Sequence, residues 1–232
     1  MSTLIRRTHI PLLALVFVFT TVYYFYNRHN TLFDPSSYTT QPPDPKDQRV
    51  HWQPQPDKYP VKEYIKLPTG KAEQIPNVQS KPPTETEEQK NIRIKRRDAV
   101  KESFEHSWSG YKKHGWLRDE VAPLSGGFRD TFGGWSATLV DSLDTLWIMG
   151  YKKDFEMAVA AANTIDFTTT EATDINVFET TIRYLGGFLA AYDISDQKYP
   201  SLLKKATEVA ELLMGCFDTP NRMPITRWDW KK

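Results

Sequence analysis

The chain has one cysteine, Cys216, so no disulfide can close within it and cysteine usage says nothing of the redox compartment. As a lone thiol it reads as a small buried hydrophobe. An excess of either charge is also missing. The 30 basic and 29 acidic residues leave a net charge of +1, with no global attraction to nucleic acid. Beyond residue 91 no stretch sustains the apolar/polar alternation of a half-buried strand, which argues against an extended sheet there. No Asn-x-Ser/Thr sequon occurs, so N-glycosylation within the chain is not expected. Two diglycines, Gly126-Gly127 and Gly133-Gly134, lack the preceding strand and the Lys-Ser/Thr that a phosphate cradle needs, and read as turn residues.

What is present changes character along the chain. Residues 10–26 form an uncharged apolar run. As a helix it would span roughly 25 Å, at the short end for a bilayer. Tyr23, Tyr24 and Tyr26 gather at its far end, where aromatic rings favour the interface, and bulky residues follow where signal cleavage would need small ones. Arg6 and Arg7 precede the run and Arg28 follows it, which favours a cytosolic amino terminus. The expectation is a cytosolic tail over 1–9, a signal anchor over 10–26 and a lumenal remainder. That is a single-pass type II protein of the ER or Golgi membrane, the shortness of the run arguing against the plasma membrane.

Residues 27–90 carry most of the prolines, from Pro35 to Pro83, in a polar, charged tract. Such a tract buries too little apolar surface to offset its ordering entropy and is expected to be a disordered stem. The Pro42 to Pro45 spacing would suit an SH3-type domain, which a lumenal stem would not meet.

From Asn91 helical periodicity takes over. Val100, Phe104, Trp108 and Tyr111 line a first helix ending at Lys112-Lys113-His114-Gly115, and its run Arg93, Lys95, Arg96, Arg97 reads as a solvated face rather than a nucleic-acid patch. A second helix spans Ser136 to Gly150, with Leu139, Leu143, Leu146 and Trp147 inward and Asp141 and Asp144 on its wet side. A third, Ala-rich helix covers 153–165. The fourth opens near Asn176, with Phe178, Ile182, Leu185, Leu189 and Tyr192 as its expected core face. Glu179, Arg183, Gly186 and Ala190 share a neighbouring stripe roughly 100° away. The fifth runs from Tyr199 to Phe217, with Leu202, Leu203, Ala206, Val209, Ala210, Leu213 and Phe217 inward. Helices in succession, joined by loops, predict an all-α domain. Taken alone, Glu179 and Arg183 are an ordinary i,i+4 pair, and Asp141 and Asp144 are surface acids.

Three segments change that. Asp141-Ser142-Leu143-Asp144-Thr145-Leu146-Trp147, Asn176-Val177-Phe178-Glu179-Thr180-Thr181-Ile182-Arg183-Tyr184-Leu185-Gly186-Gly187 and Cys216-Phe217-Asp218-Thr219-Pro220 resemble, in order and spacing, the class I α-1,2-mannosidases of glycoside hydrolase family 47. Asp119-Glu120 followed by Pro123 also resembles that family. The resemblance covers 91–232 and implies the amino-terminal portion of an α-mannosidase catalytic domain, the first roughly five helices of an (α/α)7 barrel. It implies calcium-dependent, inverting hydrolysis of terminal α-1,2-linked mannose on high-mannose N-glycans, by a monomer that meets no nucleic acid. Glu179 would be the catalytic general acid, directly or through a water, and Arg183 its companion. Asp141, Asp144 and Asp119 would line the pocket. Inversion needs a second carboxylate on a water roughly 6.5–9.5 Å away. That base, the calcium-binding threonine and any partner for Cys216 are expected beyond Lys232, so no metal ligand is assigned within this chain. The polypeptide as given is accordingly expected to be inactive and marginally folded. A nearby arginine lowers a carboxylate's pKa, so burial, further carboxylates or a relaying water must offset it in an acid catalyst. The alternative function is that of a non-catalytic mannose-binding relative in glycoprotein quality control.

Overall fold

The computed structural model of the protein describes residues 49–231, apart from 72, 75 and 77. The expected anchor lies outside the described residues, and none of the described helices is long and apolar enough to cross a membrane.

Helix α1, Glu87–His114, starts four residues before the expected Asn91. A capping box sets its beginning: the Gln89 N–H donates to Thr86 Oγ1 at 3.2 Å and the Thr86 N–H to Gln89 Oε1 at 2.9 Å. It ends at Gly115, where a Cβ would lie 2.7 Å from the Val121 side chain. Trp108 and Tyr111 are buried, whereas Val100 is exposed.

The diglycine loop is more ordered than a series of turns. Strands β1 (Glu120–Ala122) and β2 (Gly127–Arg129) pair antiparallel, with Val121 opposite Phe128, and the intervening turn uses Gly126 at φ +71°. Three-residue strands are too short to show alternation, so the expected loop is a hairpin. The expected helix from Ser136 to Gly150 is two pieces, α2 (Ala137–Asp141) and α3 (Leu143–Ile148). They divide at Ser142, whose hydroxyl donates back to the Thr138 carbonyl at 2.6 Å.

Helix α4 (Lys152–Ala162) follows, then strand β3 (Ile175–Asn176), α5 (Val177–Thr180), a π-helical turn over Thr181–Gly186, and α6 (Gly187–Ile194). Helix α7 (Pro200–Met214) continues into a 3₁₀ turn, Gly215–Phe217. Strand β4 (Arg227–Trp228) pairs antiparallel with β3, joining the end of the segment to the start of α5.

Leu139, Leu143, Leu146, Phe155, Tyr184, Phe188, Leu202, Val209 and Leu212 form the buried centre, each contributing on the order of 1.5–3 kcal/mol of apolar burial. Trp135, Phe167 and Tyr184 meet edge-to-face within it. The face that buries α5, the π turn and α6 is Val177, Thr180, Tyr184, Phe188 and Ala191. This corrects the expected core face: Phe178 is 67% exposed, Ile182 53%, and Leu189 is exposed as well. Both stripes have helical spacing, and contact with α3 and α7 decides which one is covered. Likewise Leu203 and Phe217 are partly exposed on the last helix, and Leu212 takes the inward position.

Part of the proline-rich tract lies against this body rather than free of it. The Trp52 N–H donates to the Thr168 carbonyl at 2.6 Å, and its ring packs on the core. His51 Nδ1 lies 2.8 Å from Thr168 Oγ1. The Asp218 carboxylate accepts from the Lys58 and Tyr59 N–H groups, both at 2.8 Å. Residues 51–59 thus form a strap across the 166–168 and 216–218 segments.

Candidate functional site

Asn176 opens α5, its side-chain oxygen accepting from the Glu179 N–H at 3.3 Å. Glu179 therefore leaves the first turn of a capped helix, and Arg183 follows one turn later inside the π segment. Arg183 Nε donates to Glu179 Oε2 at 2.8 Å, and Nη1 donates to Asp141 Oδ2 at 2.6 Å. The guanidinium carbon sits 4.2 Å from the centre of the Phe132 ring. One arginine thus bridges two carboxylates from different helices over an aromatic face. Roughly a third of each side chain is solvent-accessible: Asp141 35%, Arg183 32%, Glu179 27%.

The electrostatics of Asp141 run against the simple effect of its arginine. Burial pushes its carboxyl above the usual carboxylate range, and Asp144 and Glu179 add to that, outweighing the opposing pull of Arg183. For Arg183 burial acts downward, but Asp141 and Glu179 outweigh it and hold the cation above its ordinary value. The clamp is a fixed set of acceptors and donors open to solvent on one side. Such a set can receive and orient hydroxyl groups and hold a proton beside them.

The structure unites three of the five expected site residues: Glu179, Arg183 and Asp141. Asp144 acts on Asp141 through charge, and its nearest partner is the Thr145 hydroxyl at 3.2 Å. Asp119 lies elsewhere and is 1% exposed. Its Oδ2 accepts from the Phe132 N–H at 2.7 Å and the Gly134 N–H at 2.8 Å, and its Oδ1 from the Ala137 N–H at 3.1 Å. The Tyr184 hydroxyl is 3.2 Å from Asp119 Oδ1 and 2.8 Å from the Phe132 carbonyl, one proton between two acceptors. Sequence reasoning passed over Phe132 and Tyr184. Phe132 sits in a turn-rich loop without periodicity, whereas Tyr184 could have been noticed as the residue beside Arg183.

Among the described residues no group of three or more His, Cys, Asp or Glu side chains is arranged to hold a metal ion. The described side chains thus offer no cluster of acids for the calcium that the family resemblance implies. Two surface grooves lie along Ile92, Arg96 and Val100 of α1 and between Pro60 and Pro220.

The clamp joins two of the three segments that resemble family 47. The profile of glycosyl hydrolase family 47 matches residues 103–232, more than half of the chain, and the chain belongs to that family. It is 45% identical over 130 residues to a mannosyl-oligosaccharide 1,2-alpha-mannosidase of Arabidopsis thaliana, covering 56% of this chain and 22% of that protein. It is 38% identical over 161 residues to the human endoplasmic reticulum mannosyl-oligosaccharide 1,2-alpha-mannosidase, covering 69% of this chain and 22% of that protein. Among solved structures, the alpha-1,2-mannosidase from Trichoderma reesei superposes with a TM-score of 0.56 at 34% identity, over 58% of this chain and 30% of that one. The chain thus spans about a fifth of the length of the curated relatives named here.

Proposed function

We propose that this chain supplies the general-acid part of an α-1,2-mannosidase that trims terminal mannose from high-mannose N-glycans. The observation that carries the reading is the Glu179–Arg183–Asp141 clamp, formed from two of the three family-like segments. In this reading Glu179 delivers a proton toward the departing glycosidic oxygen, directly or through a water. Arg183 fixes the Glu179 carboxylate and donates to sugar hydroxyls from its remaining N–H groups. Asp141 accepts from a hydroxyl at the same site, and Asp144 holds charge behind it. A second carboxylate activates the attacking water from the opposite ring face, as inversion requires. We place that base, and the calcium ligands, in family sequence outside these 232 residues.

The same proposal sets the protein in the ER or Golgi membrane as a single-pass type II monomer, with the apolar run 10–26 as anchor and the glycan-facing part lumenal. Its support is the charge placement around that run and the endoplasmic reticulum in the human relative's printed name.

The test is trimming of a high-mannose glycan by a family-length polypeptide containing residues 1–232. Proton NMR would follow the released sugar. The proposal expects loss of α-1,2-linked mannose alone, with the β-anomer of mannose appearing first. Release of the α-anomer, or equal cleavage of α-1,3 and α-1,6 linkages, would overturn it. Saturable mannose binding without any release would establish the non-catalytic alternative instead.

A further inference from the structure

We propose that Asp119 is a positioning residue, acting through Phe132 and Tyr184 to hold the Arg183 guanidinium between Asp141 and Glu179. The inference rests on reading that clamp as a sugar site, and it changes the role expected of Asp119. A side chain 1% exposed cannot meet a substrate. Its oxygens instead gather three backbone N–H groups from one loop, those of Phe132, Gly134 and Ala137. Asp119 is itself anchored, its own N–H donating to Asp130 Oδ1 at 3.0 Å.

Phe132 is where that loop meets the clamp. Its N–H is held by Asp119 and its carbonyl by the Tyr184 hydroxyl, so both backbone polar groups of the residue are tied down. Its ring in turn lies 4.2 Å from the Arg183 guanidinium carbon. Tyr184 closes the circuit from the other side. It neighbours Arg183 within the π turn, and its hydroxyl reaches both the Phe132 carbonyl and Asp119. Arg183 is thus constrained on three sides, by Glu179, by Asp141 and by a ring whose own pose depends on Asp119. A π turn sets Arg183 and Tyr184 in a register that a regular α-helix would not keep, and such turns recur at functional sites.

A purely structural role for Asp119, clasping the 132–137 loop, makes a different prediction. It would lower stability without altering Arg183. Asp119→Asn, which weakens the clasp itself, is read in the full 232-residue chain beside two lighter changes that keep the chain folded: Tyr184→Phe, which removes one hydroxyl, and Phe132→Leu, which keeps apolar volume but removes the ring. Phe132→Tyr is the conservative control. The readout is hydrogen exchange of the Arg183 side-chain Nε–H by nitrogen-15 NMR, with the Asp141 titration followed by carbon-13 NMR. Phe132→Leu is expected to speed Arg183 exchange roughly two- to five-fold, the factor matching an ordinary cation–π contact, and Tyr184→Phe, which keeps the ring but frees it, to speed it less. Both should also raise the Asp141 midpoint, and Phe132→Tyr should leave both values as in the native chain. Unchanged exchange and titration alongside a lowered melting temperature would overturn the proposal. Neither readout depends on glycan trimming, so a failure of the mannosidase reading would show separately, in an active Glu179→Gln variant.

Discussion

Replacing Arg183 with methionine isolates the interaction on which the site depends. The change deletes two charge-assisted hydrogen bonds, at 2.8 Å to Glu179 and 2.6 Å to Asp141, together with the Phe132 contact. Bonds of that kind contribute about 1.5–3 kcal/mol each and a cation–π contact about 0.5–1 kcal/mol. Water reaches roughly a third of each partner and will recover part of the loss, so the net destabilisation is about 2–4 kcal/mol near pH 8. In a domain of this size that lowers Tm by about 5–12 °C. The sign of the pH dependence follows from Asp141, whose folded carboxyl is already raised, chiefly by burial. The native state then holds that proton more tightly than the unfolded one. Stability contributed by the group falls as pH rises from the ordinary carboxylate range, about 3.9, through the raised folded value. Without Arg183 the raising influences remain and the lowering ones disappear. The deficit of the variant should therefore grow from pH 4 upward. Urea unfolding followed by tryptophan fluorescence across pH 4–8 would measure it. A deficit below about 0.5 kcal/mol, the ordinary scatter of a surface substitution, or one that shrinks as pH rises, would refute the clamp as described.

Other consequences can be checked independently. Burial pushes the Cys216 thiol up to about 11, so iodoacetamide at pH 8 should modify it in urea and leave it intact in the native chain. Asp218→Ala removes the acceptors of the Lys58 and Tyr59 N–H groups, and trypsin should then cut after Lys58 sooner than in the unsubstituted chain, while the Trp52 and His51 contacts to Thr168 persist. At Gly215 a Cβ would fall 2.4 Å and 2.6 Å from Trp228 ring atoms although its φ of −58° is helical. Gly215→Ala should therefore destabilise by about 1–3 kcal/mol in urea unfolding, through overpacking rather than backbone strain.

Helix existence was legible in the sequence, and helix orientation was less so. The Leu139, Leu143, Leu146 spacing identified a buried stripe that the structure keeps even though Ser142 divides the helix. The stripe from Phe178 to Tyr192 has equally good spacing, yet only Leu185 and Tyr192 of it pack on the core, because periodicity reports that a helix has apolar faces and not which neighbour covers them. The pairing of Glu179 with Arg183 follows from an i,i+4 separation. Its completion by Asp141 joins positions 42 residues apart, which no local pattern encodes. Asp119 was singled out only through the family resemblance of its segment. Its burial, and its link to Arg183 through a phenylalanine in an aperiodic loop, come only from the tertiary arrangement. The capping box at Thr86 went unread, and the helix start was set at Asn91, four residues late. The hairpin at Glu120 has strands shorter than any alternation can reveal.

The most direct test of the account is the rate of mannose release from an α-1,2-linked high-mannose glycan by the Glu179→Gln variant of a family-length polypeptide. Glutamine keeps the shape of the side chain and an acceptor for Arg183, but has no acidic proton to deliver. With Glu179 as general acid, kcat should fall about 10²–10⁴-fold while the glycan still binds. A variant that trims at the wild-type rate would contradict the assignment.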